Sequence, residues 1–558
     1  MNRSNLPKQL SAIGILLVMN CVAILKGQGV QFLEASSSAG ISFKHTDGND
    51  SQPYLPALMP AGVAMFDYDG DGWQDVYFLN GHSLDKSKPH VARGNGLYRN
   101  LGNGKFVNVT ELAGLRSYGY GLGVVTADLD NDGDQDIVIS NFGPNQLYQN
   151  NGDGTFNDIS KHLASPGDDS LFGAGVACLD VDSDGLLDVF AANYVDFTFQ
   201  RYHEIAPKSF PYPPGPKDFP PSADRLFRNE GNGAFRDVTK PSGISNSRGP
   251  SMGVVCGDWD GDGDTDIFVC CDAAPNLLYV NDGLGHFEDM AIQFGLAFDA
   301  LGNSNGSMGV DAGDFDGDGK EDLLVTNYTG QLPVLYRNLG AGFFEDVSRL
   351  SRVGREVLVH TNWGVGLIDF DNDRDLDVFF ANGHFLKNIA SIDSRTSYRV
   401  QNTLMMNEGS TFRDGSKGAG SGFEVVESSR GAVFGDVDKD GAVDIVVLNA
   451  NAESSFLKNV SVSRGNWVAI KLVGVQSNRD GVGSQVQVET ELGMQTQFVH
   501  AGRGYQSHFG TVLHFGLGAA RAIQSIQIKW PDGNVERFQA HSLDQEYLFV
   551  QGTGSKSP

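Results

Sequence analysis

The chain has 558 residues, with 41 Lys and Arg against 69 Asp and Glu, and a formal net charge of −28. That acidity excludes nucleic acid and anionic membrane surfaces as partners held by charge, and 71 glycines favour many tight turns over long helices. The length accommodates one large β domain with a sizeable core and a small second one.

Residues 1–29 read as a secretory signal peptide: Arg3 and Lys8 precede an apolar stretch from Leu10 to Leu25, and Lys26-Gly27-Gln28-Gly29 follows. The stretch is short for a membrane span, Met19-Asn20-Cys21 is a poor lipoprotein box, and no other long apolar run occurs. A secreted or extracytoplasmic protein is expected (extracellular, cell-surface or periplasmic), with a retained N-terminal anchor as the alternative. Next, Phe32-Leu33-Glu34-Ala35 followed by Ala39-Gly40-Ile41 repeats the pattern of Phe106 to Thr110 and its trailing Ala113-Gly114-Leu115.

At Asp67 the chain begins a nine-residue phrase, Asp-x-Asp-x-Asp-x-x-x-Asp, and it returns at Asp128, Asp180, Asp258, Asp314, Asp369 and Asp436. The first copy sets Asp67, Asp69, Asp71 and Asp75, with Trp73 at position 7. The next three hold Asp128, Asp130, Asp132 and Asp136 with Asp134 at position 7; Asp180, Asp182, Asp184 and Asp188 with Leu186; and Asp258, Asp260, Asp262 and Asp266 with Asp264. The last three hold Asp314, Asp316, Asp318 and Asp322 with Lys320; Asp369, Asp371, Asp373 and Asp377 with Asp375; and Asp436, Asp438, Asp440 and Asp444 with Ala442.

Four carboxylates so close in sequence repel one another unless a cation sits among them. Side chains at positions 1, 3, 5 and 9, the position-7 carbonyl and one or two waters supply the six to eight oxygens that Ca2+ prefers, so up to seven calcium ions are expected. Magnesium, which demands a strict octahedron, fits less well. An EF-hand would need a Glu at position 12 and flanking helices; here position 9 runs into apolar stretches such as Val76-Tyr77-Phe78-Leu79, which read as buried strands. Position 6 is Gly except for Arg374 in the sixth copy, where a regular site is least expected.

The repeat is larger than the loop. Five residues before each first Asp lies a Gly (Gly62, Gly123, Gly175, Gly253, Gly309, Gly364, Gly431), as expected where innermost strands crowd an axis. Downstream comes a strand ending in Asn (Asn100, Asn150, Asn229, Asn281, Asn338, Asn407, Asn459), usually a Gly-rich hairpin, and a strand opening on Phe. Four strands in about sixty residues make one propeller blade. The fold class is therefore all-β: a seven-bladed β-propeller over 30–460, closed by the N-terminal strand, then a small β domain over 461–558.

The metal loops join strands one and two, so the connections between strands two and three lie on the opposite rim. Two of these are long. Residues 194–223 hold seven of the twenty prolines with Phe197, Phe199, Tyr202, Phe210, Tyr212 and Phe219 interleaved, and residues 384–403 carry Arg395 and Arg399. Long loops on a rigid ring suit recognition, or else they simply cover the channel mouth. His82 and His384 sit in matching Asn-Gly-His triplets, where a hydrogen-bonded turn role is expected. Cys178, Cys256, Cys270 and Cys271 are too few and irregular for a disulfide framework, and read as buried packing.

These residues resemble the FG-GAP (VCBS-type) propeller repeats of integrin α chains and many exported bacterial proteins. In the tail, Asn466-Trp467, Ser477 to Gly483, Ala501-Gly502-Arg503-Gly504-Tyr505, Leu513 to Gly518 and Trp530-Pro531-Asp532-Gly533 resemble the ASPIC/UnbV module. Propeller plus this module is the arrangement of the cartilage acidic protein family, and the absence of EF-hand or growth-factor-like modules points to a bacterial-type member. The resemblance implies a secreted calcium-binding propeller associated in animals with extracellular matrix.

The expected function is a non-enzymatic extracellular binding, scaffold or adhesion protein whose partner is an extracellular protein or glycan, with no nucleic acid and no membrane insertion after signal removal. The alternative is a carbohydrate-active lyase or hydrolase on a calcium-stabilised propeller. No catalytic residue is assigned, because no nucleophile elbow, zinc signature or phosphate loop is present. Among residues expected near the loop-rich mouth are His82, His384, Trp363 and Arg430. The tail histidines His500, His508 and His514 show no metal-ligand spacing.

Overall fold

A computed structural model describes residues 29–48, 54–84, 94–117, 119–164, 171–206, 212–231, 233–462, 464–540 and 542–556. The expected leader, apart from Gly29, and Phe210 lie outside them. Seven four-stranded antiparallel sheets follow one another along the chain, as the repeat predicts. The first is Val63–Phe66, Asp75–Phe78, Gly96–Asn100 and Phe106–Asn108. Its two inner strands are buried at every residue, whereas the fourth buries Phe106 and exposes Val107 and Asn108. Burial on both faces is why the inner strands read as continuous apolar runs and the outer ones alternate.

Ring closure follows the predicted route. Phe32–Glu34 pairs antiparallel with Ser455–Asn459, placing Phe32 opposite Asn459 and Leu33 opposite Lys458. Phe32 locks the seam with edge-on contacts to Phe370 at 5.5 Å and Phe423 at 5.4 Å. The added strand completes the last blade as a four-stranded sheet, so Ser455–Asn459 is not left as an unpaired edge at the seam.

The repeated glycines face the axis. A Cβ on Gly253 would come within 2.6 Å of the Met308 carbonyl oxygen, one on Gly309 within 2.5 Å of the Trp363 oxygen, and one on Gly364 within 2.5 Å of the Arg430 oxygen. Each of those carbonyls belongs to the residue just before the next blade's glycine, so any side chain would push neighbouring strands apart. In four blades the pairing of strands one and two also slips by a bulge that encloses this glycine.

After Asn459 the tail forms a small β domain. A three-stranded sheet orders Leu513–Gly518, Asn466–Val473 and Gln545–Val550; a five-stranded sheet orders Gly493–Phe498, Gln485–Thr490, Ile523–Lys529, Val535–Phe538 and Ser555–Lys556. It docks on the rim that carries the Asp-rich loops and sends residues 501–508 into the ring's channel. There Cys178 N–H donates to the Ala501 oxygen (2.9 Å), Gly504 N–H to Val310 (2.6 Å), Val124 N–H to Gln506 (3.2 Å) and Met65 N–H to His508 (2.8 Å). Blades one, two, three and five are thus stitched to one inserted segment. The motif Ala501 to Tyr505, legible as a tail signature, is the body of this plug; Gly502 and Gly504 supply positive φ values of 101° and 76°.

Candidate metal centres

Each Asp-rich loop is wound by its own carboxylates. In the first, Asp67 accepts from the N–H of Asp71 (3.1 Å) and of Gly72 (2.9 Å), and Asp71 accepts from Trp73 N–H (3.0 Å). The same three bonds recur in the loops at Asp128, Asp180, Asp314, Asp369 and Asp436. Two residues per loop are left-handed. Position 6 was legible from its glycines; position 4 was not, because it is filled variously by Gly70, Asn131, Ser183, Gly261, Gly317, Asn372 and Lys439.

Irregularity falls elsewhere than expected. Arg374 holds φ 93° yet leaves the sixth loop's bonds intact, and its guanidinium donates to the Leu492 carbonyl of the tail domain at 2.7 Å. The departure from Gly is therefore a docking contact. The fourth loop, regular in sequence, is the one that changes: Asp258 accepts from Gly261 N–H (2.9 Å), and Asp262 N–H turns to Asp260 (3.1 Å).

Position 9 does more than close the acidic set. Asp75 accepts from Tyr68 N–H (3.0 Å) and from Asn100 N–H (2.7 Å), tying the loop's second residue to the end of strand three, and all seven copies repeat this. The Asn side chains then reach sideways. Asn150 donates to Gln135 in its own loop (3.2 Å) and to Tyr68 in the preceding blade's loop (2.9 Å); Asn100 spans the seam to Val437 at 2.8 Å. The strand-ending Asn was visible in the sequence, but its job as a link between adjacent loops was not. Asn150→Ala removes both bonds from a buried site and is expected to cost about 2–3 kcal/mol, read as a lowered urea midpoint. Asn338→Ala, whose bond runs to Glu321 within its own blade, is expected to cost less.

The carboxylates converge. In Asp67, Asp69 and Asp71, in Asp128, Asp130 and Asp132, in Asp180, Asp182 and Asp188, in Asp258, Asp260 and Asp262, and in Asp314, Asp316 and Asp322, one oxygen from each lies within 4.8 Å of the others. Position 3 is the telling one. The Oδ1 atoms of Asp69, Asp130, Asp182, Asp316, Asp371 and Asp438 are buried and hydrogen-bond to nothing, an arrangement that costs free energy unless a cation accepts the lone pairs. The exception is the rearranged fourth loop, where Asp260 Oδ1 is taken by Asp262 N–H.

Burial disfavours the charged form of the loop carboxyls. Burial pushes Asp75, Asp136, Asp188, Asp266 and Asp322 up to about 8, and lifts Asp128 and Asp436 to about 7. In four loops partial relief comes from the residue just before the Asn: Arg99 sits 2.7 Å from Asp69, Arg228 pairs with Asp182, Arg337 lies 4.0 Å from Asp316, and Lys458 pairs with Asp438. These cations reach the loop from outside, against the oxygens that are not orphaned.

The tail domain's polar groups meet these loops. Asp480 accepts from Asp128 N–H (2.7 Å), His514 pairs with Asn372 (2.8 Å), and buried His500 contacts Glu321 (2.6 Å) and the Cys256 carbonyl (2.8 Å). The tail histidines are docking residues, in keeping with their lack of ligand spacing. On the far rim, buried Phe197, Tyr202 and Phe219 pack with buried Phe172 and half-buried Phe142, so this part of the long 194–223 segment covers the mouth. His384 is a turn residue, accepting from Leu386 N–H at 3.0 Å, and Arg430 is buried 4.2 Å over the Trp363 ring. Arg395 and Arg399 pair with Asp393 and Glu427. Among the described residues, Cys178, Cys256, Cys270 and Cys271 are buried and free, as expected. Among the described residues no helix is long and apolar enough to cross a membrane.

Comparison with known proteins agrees with this geometry. The FG-GAP-like repeat model matches residues 67–139, 128–191, 219–269, 258–325 and 314–380, and the ASPIC and UnbV model matches 474–556. Mouse cartilage acidic protein 1 is 27% identical over 517 residues, covering 86% of this chain and 72% of the relative. The human protein of that name is 28% identical over 516 residues, covering 86% and 70%. Among solved structures, YCF48 bound to D1 peptide aligns at TM-score 0.38 and 10% identity over 75% of this chain and 97% of that one, too loosely to carry an argument. The chain belongs to the FG-GAP-repeat propeller proteins that carry a C-terminal ASPIC and UnbV domain.

Proposed function

We propose that the seven loops hold calcium and that the protein is a secreted, calcium-stabilised propeller acting as a non-enzymatic binding or scaffold protein outside the cytoplasm. The observation that carries the metal reading is the orphaned, buried position-3 oxygen in six of the seven loops. An all-oxygen donor set of carboxylates and a backbone carbonyl suits a hard cation and no softer one.

Three features favour the role. The relatives it matches across most of its length are named for cartilage and acidity. The acidic groups that would serve an enzyme are engaged in winding loops, pinning strands and seating the tail. The rim opposite the metal loops carries the long connections, which is where a rigid ring presents a surface to an extracellular protein or glycan.

Native mass spectrometry of the intact protein in calcium acetate is expected to show seven bound calcium ions, six of them retained most strongly if the rearranged fourth loop is the weakest site. A count well below six overturns the metal reading. Turnover of a glycan by the purified protein would overturn the non-enzymatic one.

A further inference from the structure

On the rim away from the metal loops, the channel mouth opens into a cavity of about 280 Å³. Its walls are apolar: Met252, Met308, Leu58, Phe385 and the Trp363 ring all line it. One carboxylate, Asp272, lines it as well. Asp272 Oδ2 accepts from the Tyr194 hydroxyl at 2.6 Å, which uses one of its lone pairs. Lys217 also borders the cavity, and its charge acts on Asp272 through space without a direct contact. Burial pushes the Asp272 carboxyl up to about 6, against the lowering effects of the Tyr194 hydrogen bond and the Lys217 charge.

A single carboxylate in an apolar, aromatic-walled cavity selects its ligand by elimination. An anion is repelled by Asp272. A polyhydroxylated sugar would leave most of its hydroxyls against methionine and tryptophan, each unpaired hydroxyl costing binding energy. A compact hydrocarbon or aromatic body bearing one ammonium satisfies both parts: the body displaces water from apolar walls, and the ammonium pairs with Asp272 beside the Tyr194 hydroxyl. The net charge of −28 steers such a cation toward the protein. We propose that this cavity is a binding site for a compact apolar amine, with Asp272 as the ammonium partner and Met252, Met308 and Trp363 around its body. The site is independent of whether the loops on the other rim hold metal.

Isothermal titration of the full-length protein in calcium buffer at neutral pH, with 2-phenylethylamine, 2-phenylethanol and phenylacetate as probes of one skeleton and three charges, tests it. The amine is expected to bind about tenfold more tightly than the alcohol, and the acid no better than the alcohol. Asp272→Asn is expected to erase the amine's advantage while leaving the alcohol's affinity unchanged. Met308→Trp, which fills the cavity, is expected to abolish binding of all three at an unchanged calcium count. Should Asp272→Asn fail to fold, the wild-type probe series and Met308→Trp decide the matter alone. Equal affinity for amine and alcohol, amine binding that survives Met308→Trp, or no heat from the amine at about 5 mM overturns the proposal.

Discussion

Excess EDTA is expected to lower the melting temperature of the calcium-loaded protein by about 10 °C at pH 7.5. With free calcium at about ten times a site's dissociation constant, binding stabilises the folded state by about 1.4 kcal/mol per site, and seven sites give on the order of 10 kcal/mol. That is comparable to the whole stability of an ordinary domain. Spread over an unfolding entropy of about 2 cal/mol/K per residue in a chain of this size, it corresponds to roughly 10 °C. The effect should be cooperative around the ring, because Asn150, Asn229, Asn281, Asn407 and Asn459 each tie one loop to the next. An unchanged melting temperature in thoroughly demetallated protein would remove calcium as the element that holds the ring.

The same experiment has a pH signature. Without metal, burial holds the folded-state carboxyls of Asp75, Asp136, Asp188, Asp266 and Asp322 near 8 where a free Asp sits near 4, and raises Asp377 and Asp444 as well. The folded state then holds more protons than the unfolded one across that window. Its stabilisation from these groups is complete below about pH 4 and is lost as pH rises through about 8. In EDTA, therefore, the melting temperature should fall steadily from pH 5.5 to pH 8.5. With calcium present the sign reverses, because the cation binds the deprotonated carboxylates and protons compete with it. A differential scanning fluorimetry series in the two conditions should give slopes of opposite sign.

Much of this fold could be read from the chain because its information is local and repeated. A nine-residue acidic phrase, a Gly at fixed distance and an Asn-ended strand recur in register, and the N-terminal strand matched the one piece the last blade lacked. What stayed hidden was non-local. Asp480 reaches Asp128, and Ser507 reaches Val63, across hundreds of residues, and no periodicity marks such a contact. The glycines correctly signalled crowding at the axis, yet nothing in their spacing said that a segment of the tail domain would help to crowd it. Arg374 misled for a related reason: judged inside its loop it looks like a defect, whereas its guanidinium answers to Leu492 in another domain. The fourth loop's rearrangement left no mark in its letters at all.

The plug makes a second large effect expected, at Gly62→Val. Gly62 has ordinary negative-φ backbone, since it is not among the left-handed glycines, so a side chain is not barred by its own conformation. The barrier is external. A Cβ there would lie inside the contact radius of the Gln506 carbonyl oxygen, and that oxygen is held in place by Val124 N–H at 3.2 Å. The plug cannot slide aside without breaking its bonds to Val63, Met65 and Val310, nor the neighbouring strand without breaking the ring. Overpacking at so constrained a point is expected to cost about 3 kcal/mol. Because the ring's own sheets do not pass through residues 501–508, the cost should fall on docking: the tail domain should become susceptible to limited proteolysis near the link between Asn459 and Asn466, while the blades stay folded. Gly70→Ala is the matched control, since nothing lies within 4 Å of a Cβ there and only its φ of 70° opposes the change. A Gly62→Val protein with the wild-type melting temperature and cleavage pattern would show that the tail does not occupy the channel in solution.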